Sequence, residues 1–187
     1  MKKVFIVGSI NMDLVIASDR LPLMGETIHG RDFFTNPGGK GANQAVAVQK
    51  SGGDARFCAC VGNDDFGDIL IGGLKACGVD TRFVTREDAP SGVAVITVVD
   101  GDNCIVLGAG ANAHMDISKA EQCLREAEVG DILLVQLKST AMRCCLLCGA
   151  PRKGMTTILN PAPAKGSARS FCRTSIISCP TRRKRRN

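Results

Sequence analysis

Long apolar runs are missing from this 187-residue chain. None approaches the roughly 18 residues that a membrane-spanning helix needs. No secretory leader is expected at the start either. Lys2 and Lys3 precede an apolar run from Val4 to Ile10, but about seven residues is the bottom of the signal-peptide range, and Asn11 and Asp13 follow without a small-residue cleavage site. That run reads as a buried first strand, and the expected location is the cytoplasm. Histidine is scarce: His29 and His114 lie far apart with no cysteine or carboxylate spacing around them, which favours surface positions over metal ligands. No internal repeat is present. The most telling absence is of one sign of charge. Residues 132–187 contain 12 basic groups and no Asp or Glu, whereas residues 1–131 hold all 18 acidic groups and 12 basic ones. The overall net charge of +6 therefore hides an acidic body and a basic end. Globular surfaces interleave both signs, so the composition breaks near residue 138.

What is present fits a globular α/β protein. Hydrophobic residues make up 44% of the chain and glycines number 21, which argues against disorder or coiled coil. The length suits a domain with a sizeable core. Strands are expected at Val4–Ile10, Arg56–Val61 and Asp131–Leu137, with helices from Gly41 to the Gly52-Gly53 stop and through Ile69, Leu70, Leu74 and Ala76 to Gly78. A further helix is expected after Asp116 or Ser118, reaching about Glu128. Ser91–Val99 and Asn103–Leu107 flank Asp100-Gly101, a strong hairpin signal. Alternating strands and helices imply a mainly parallel sheet covered on both faces. The hairpin breaks that alternation and implies a second, small sheet.

The segment richest in chemistry is Pro37-Gly38-Gly39-Lys40-Gly41-Ala42-Asn43-Gln44-Ala45. Adjacent glycines opening a helix let a ligand or a moving segment approach closely. A helix start offers N–H groups, and Lys40 adds a positive charge. Asn43 would project from the first turn toward the same place. An ordinary loop-to-helix cap has the same composition. The spacing is neither a Walker A loop nor a Gly-x-Gly-x-x-Gly fingerprint. Cys144-Cys145-x-x-Cys148 contains a Cys-x-x-Cys pair, but Cys172 and Cys179 are too far apart to complete a zinc site. The run Arg182-Arg183-Lys184-Arg185-Arg186 has the composition of a nucleic-acid or nuclear-import patch.

Gly38-Gly39-Lys40-Gly41-Ala42-Asn43-Gln44-Ala45, followed by Gly52 and Gly62, resembles the first signature of the ribokinase (PfkB) family of carbohydrate kinases. Gly8-Ser9-Ile10-Asn11-Met12-Asp13 resembles the family's opening, and Gly62-Asn63-Asp64-Asp65-Phe66-Gly67 its Gly-x-Asp-x-x-Gly turn. Gly108–Ala113 and Asn160–Ala164 resemble stretches typical of ribokinases. The resemblance runs through residues 1–137 and returns as an island at 152–165. It implies a three-layer α/β/α fold with a mainly parallel sheet and a small β-sheet lid, built from residues around 14–36 and 91–107. It also implies ATP-dependent phosphorylation of a pentose, most simply D-ribose at its 5-hydroxyl, with Mg2+ and a monovalent cation such as K+. Asn11, Asp13, Gly38, Gly39, Lys40 and Asn43 would then bind the sugar, the diglycine would hinge the lid, and the lid would pair two copies as a homodimer. Alternatives are another sugar or nucleoside kinase of the family, such as a fructokinase or adenosine kinase, or a sugar-binding remnant without catalysis.

The resemblance weakens over residues 138–187. Lys138 stands where the family has a sugar-contacting glutamate, and Ser139–Pro151 is a cysteine-rich, acid-free run. The family motif Pro-Asn-Glu-Thr-Glu-Ala-Glu, followed by Lys-Leu-Thr and read one base later with suitable synonymous codons, gives Pro-Thr-Arg-Arg-Lys-Arg-Arg-Asn. That is residues 180–187. The basic end is accordingly expected to be an out-of-frame version of an acidic motif, with no nucleic-acid partner. The family's catalytic Asp-Thr-x-Gly-Ala-Gly-Asp does not occur in these residues, so the 187-residue chain is expected to be truncated and inactive, with no catalytic residue of its own.

Overall fold

A computed structural model describes residues 2–136 and 154–160 and the backbone of Ile176–Ser178. Lys138, the cysteine-rich run, the basic run and the shifted-frame segment lie outside the described residues. Two sheets are present. The larger contains β1 (Lys3–Val7), β4 (Asp54–Gly62), β5 (Asp80–Glu87), β8 (Ile132–Gln136), β9 (Thr156–Asn160) and β10 (Ile176–Ser178). Its order is β10-β9-β8-β1-β4-β5, and every pairing is parallel. The smaller contains β2 (Asn11–Ala17), β3 (Arg31–Gly38), β6 (Val93–Val99) and β7 (Asp102–Gly108), in the order β3-β2-β6-β7.

The sequence of each central strand carries the layering. Along β1, Phe5 and Val7 face one layer and Ile6 the other; along β4, Cys58 and Cys60 alternate with Phe57, Ala59 and Val61. Side chains of a strand point alternately to opposite faces, so these uninterrupted apolar runs require cover on both sides. One face is covered by α1 (Lys40–Lys50) and α2 (Asp65–Ala76), through Ala42, Ala45, Leu70 and Leu74. The other is covered by a short 3-10 helix, Gly110–His114, and by α3 (Ile117–Leu124), through Ala111, Ala120, Cys123 and Leu124. The molecule is thus a three-layer α/β/α structure with a separate small sheet, as the sequence implies.

Asp116 caps α3 by accepting from Lys119 N at 2.9 Å, and the helix ends at Leu124, a turn short of Glu128. The hairpin forms at its expected place. Asp100 and Gly101 both adopt positive φ, 49° and 76°, the two-residue turn whose twist suits an antiparallel pair. Two features depart from the sequence reading. The first strand stops at Val7, short of the expected Ile10, and Asn11 and Asp13 begin a new one, β2, in the small sheet. The small sheet also extends beyond the expected lid limits at three of its edges, to Asn11, Gly38 and Gly108.

The chain crosses between the sheets four times: at Gly8–Ile10, at Gly38–Gly39, between Glu87 and Val93, and between Gly108 and Gly110. Those crossings meet at one place, and the cleft lies there.

Candidate functional site

β2 carries Asn11 and Asp13 out of the core on the same face, two residues apart. Antiparallel pairing sets Asn11 opposite Gly38 and Asp13 opposite Asn36. The chain then turns at Gly39, with φ of 99°, into α1, whose first turn carries Lys40 and Asn43. Asn11, Asp13, Gly39, Lys40 and Asn43 together line a cleft of about 560 Å³. Gly38 is buried behind it. A Cβ at Gly38 would lie 2.2 Å from the Asp13 Oδ2, so the missing side chain is the room the carboxylate occupies. At Gly39 a Cβ would lie 2.7 Å from the Ile10 Cα and the Ser9 carbonyl oxygen, so the positive φ and the close backbone approach both require glycine.

The start of α1 is not an open anion site. Gly41 N and Ala42 N both donate to the Ser9 carbonyl oxygen, at 3.0 and 3.2 Å. The helix N-terminus holds the β1–β2 turn in place instead, satisfying donors that a helix leaves without intrahelical partners. This corrects the expectation of N–H groups offered to a ligand there. Partial burial pushes the Asp13 carboxyl above the ordinary aspartate value.

Residues to which the sequence reading gave no binding role complete the walls. Ala94 and Ile96 of β6 and Ile105 and Leu107 of β7 form an apolar side, since residues two apart on a strand share a face. Ser9, Asn112 and Gln136 add polar edges, with Ala109 beside them. The Gln136 side chain is 2% exposed overall as a residue and its Nε2 donates to Gln44 Oε1, joining the end of β8 to α1. Asn112 lies in the Gly108–Ala113 stretch, but nothing in its spacing points to a partner 101 residues away. Asp64 of the Gly-x-Asp-x-x-Gly turn stands behind the site. It caps α2 through Gly67 N at 2.8 Å and accepts from Ser91 N and Ser91 Oγ at 2.7 and 2.6 Å, while Ser91 Oγ accepts from Gly62 N. His114 is exposed, and its Nδ1 lies 3.5 Å from Glu87 Oε2.

A cleft floored by amides, a carboxylate and an ammonium, with an apolar wall, suits a small polyol. The sequence model of the pfkB family carbohydrate kinases matches residues 1–182. The chain belongs to that family. The match takes in residues 138–182, of which the motifs carry only the island at 152–165. Ribokinase of Bacillus subtilis (strain 168) is 40% identical over 171 residues, covering 88% of this chain and 57% of that protein. Ribokinase of Mus musculus is 40% identical over 184 residues, covering 94% of this chain and 56% of its own length. The structure of Arabidopsis thaliana ribokinase complexed with ribose and ATP matches with a TM-score of 0.74 at 30% identity, covering 86% of this chain and 54% of that one. The kinase-family chain thus spans a little over half the length of the curated relatives it matches.

Proposed function

We propose that the protein serves in the ATP-dependent phosphorylation of a pentose, D-ribose to ribose 5-phosphate, and that the residues described form its sugar-binding cleft. One observation carries the reading: Asn11 and Asp13 from β2, and Gly39, Lys40 and Asn43 from the start of α1, converge on a single cleft beside an apolar wall. A neutral sugar presents hydroxyls that both donate and accept, and paired amide and carboxylate groups are the tools that read them. The likeness to ribokinases, one of them complexed with ribose and ATP, supports the same substrate class.

ATP is the proposed phosphate donor, with Mg2+ and K+ accompanying it. Among the described residues no group of three or more His, Cys, Asp or Glu side chains could hold a metal ion. Phosphoryl transfer rests on positioning and on charge stabilisation at the phosphates. The described residues supply the first of these for the sugar. No Asp-Thr-x-Gly-Ala-Gly-Asp motif occurs in the 187 residues, which on their own are expected to bind the sugar and not to turn it over.

The small sheet is proposed to close over the sugar as a lid and to pair two copies. Its cleft-side face continues past Asp13 onto Phe34 and Ile105, which are 53% and 49% exposed. No nucleic-acid partner is assigned to the basic end, and the cytoplasm is the proposed location. No helix among the described residues is long and apolar enough to cross a membrane.

Calorimetric titration with D-ribose tests the reading, with D-fructose and adenosine as comparison ligands. The wild type should bind D-ribose in preference, and Asp13→Ala should weaken it by about tenfold or more, the scale of a lost charge-assisted hydrogen bond. Equal binding by wild type and Asp13→Ala, or none by the wild type, would overturn it.

A further inference from the structure

We propose that Asn112 is a positioning residue of this cleft: it holds the Asn11 carboxamide with its oxygen turned away and its NH2 facing the ligand, so that Asn11 acts as a hydrogen-bond donor beside the acceptor Asp13. The inference rests on the sugar-binding reading.

The backbone of Ile10 fixes the orientation of Asn112. Asn112 Oδ1 accepts from Ile10 N at 2.9 Å, and Asn112 Nδ2 donates to Ile10 O at 2.8 Å. A backbone N–H only donates and a carbonyl only accepts, so the Asn112 amide satisfies both in one orientation alone. Asn112 Nδ2 also faces Asn11 Oδ1 at 2.9 Å and Ala109 O at 3.1 Å, its two hydrogens shared among three acceptors. Because that nitrogen can only donate, the atom Asn11 turns toward it must be the oxygen. The Asn11 NH2 is left on the other side. It makes no hydrogen bond with a described residue, and Asn11 lines the cleft.

The consequence is chemical. A hydroxyl set between the Asn11 NH2 and the Asp13 carboxylate accepts from the first and donates to the second, using its single hydrogen once. With Asn11 turned over, the hydroxyl would face two acceptors with one hydrogen. Asn112 thereby converts an ambivalent amide into a fixed donor. Its own seat is firm: Ala111 is buried, and its N–H donates to Pro90 O at 2.8 Å. One side chain therefore joins the first crossing between the sheets, at Ile10, to the last, at Ala109.

Two measurements decide the proposal. The first needs no sugar: hydrogen exchange of side-chain amides by NMR. In the wild type the Asn112 NH2 should be protected and the Asn11 NH2 should exchange with water freely. In Asn112→Asp, which keeps the acceptor for Ile10 N but cannot donate, the Asn11 amide should turn and its NH2 become protected. The reverse pattern in the wild type would overturn the proposal. The second is a double-mutant cycle on D-ribose affinity. Asn112→Asp should weaken binding by about tenfold in the wild-type background and change it less than about twofold in Asn11→Ala. Unchanged binding, or an equal loss in both backgrounds, would mean that Asn112 does not act through Asn11. A wild type that binds no sugar would defeat the sugar reading of the cleft, while the exchange pattern would still decide the role of Asn112.

Discussion

Neighbouring glycines at the cleft have separable duties. The atoms that a Cβ at Gly38 would strike belong to the movable end of Asp13, at 2.2–2.6 Å. Those that a Cβ at Gly39 would strike are backbone atoms of Ser9, Ile10 and Asn11, at 2.7–2.9 Å, and the φ there is 99°. Gly38→Ala should therefore lose D-ribose affinity with little change in its urea midpoint. Gly39→Ala should lose about 2–3 kcal/mol of stability, the scale of a strained backbone position. A pair of urea titrations checks this, and equal destabilisation by both variants would contradict it. Asp13 separates binding from stability in another way. Burial raises its carboxyl pKa, so the proton-bound form is favoured on folding, and the stability gained below the ordinary aspartate range is lost as pH rises through the raised value. Asp13→Asn is expected to be at least as stable as the wild type at pH 7 while binding D-ribose more weakly. In the wild type, sugar affinity should fall on acidification at a pH above that at which a free aspartate titrates. Asp13, Lys40 and Asn43 are legible in sequence because the motif places them; Asn112 is not, because its partners come from residues 10 and 11 through the fold alone.

Asp64 works at the scale of elements, since one carboxylate caps α2 and holds the segment leading into β6. Burial pushes its pKa up, but hydrogen bonds from Ser91 Oγ, Ser91 N and Gly67 N and the nearby Arg86 charge outweigh burial and hold it below the ordinary value. Ser91 is buried, so Asp64→Ala leaves its donors without their acceptor and should cost about 2–3 kcal/mol at pH 7. A depressed carboxyl stabilises above its unfolded pKa and ceases to do so as pH falls through the folded one. The stability gap between wild type and Asp64→Ala should accordingly narrow from pH 7 to about pH 3; a constant gap in urea titrations would exclude this role. The turn Asp100-Gly101 and the apolar runs of β1, β4 and β8 reveal their elements in sequence, because local geometry and two-sided burial each leave a pattern. β5 leaves none. It is an edge strand whose Asp80, Arg82 and Arg86 engage in ion pairs with Arg56, Glu126 and Asp68, so charge replaces apolar alternation. The amides at the start of α1 look free in sequence because their acceptor, Ser9 O, is brought to them from another element.

For the whole molecule, the cleft-side face of the small sheet leaves Phe34 and Ile105 exposed beyond the cleft. Phe34→Glu should shift a dimeric wild type to monomer in analytical ultracentrifugation without altering its circular dichroism. A wild type that sediments as a monomer at its highest soluble concentration would remove the pairing proposal. The three-layer architecture is legible because alternation of strands and helices prescribes it, whereas the four crossings that bring the two sheets to one place are a property of the folded chain.

Those crossings also divide ownership of the cleft. Asn11 and Asp13 travel with the small sheet, while Lys40 and Asn43 belong to a helix packed on the large one. A molecule held by all four side chains would act as a rivet between two plates. Tightness of grip and the angle between the sheets then become one variable, and any change that stiffens a crossing is felt as a change in affinity without touching the ligand.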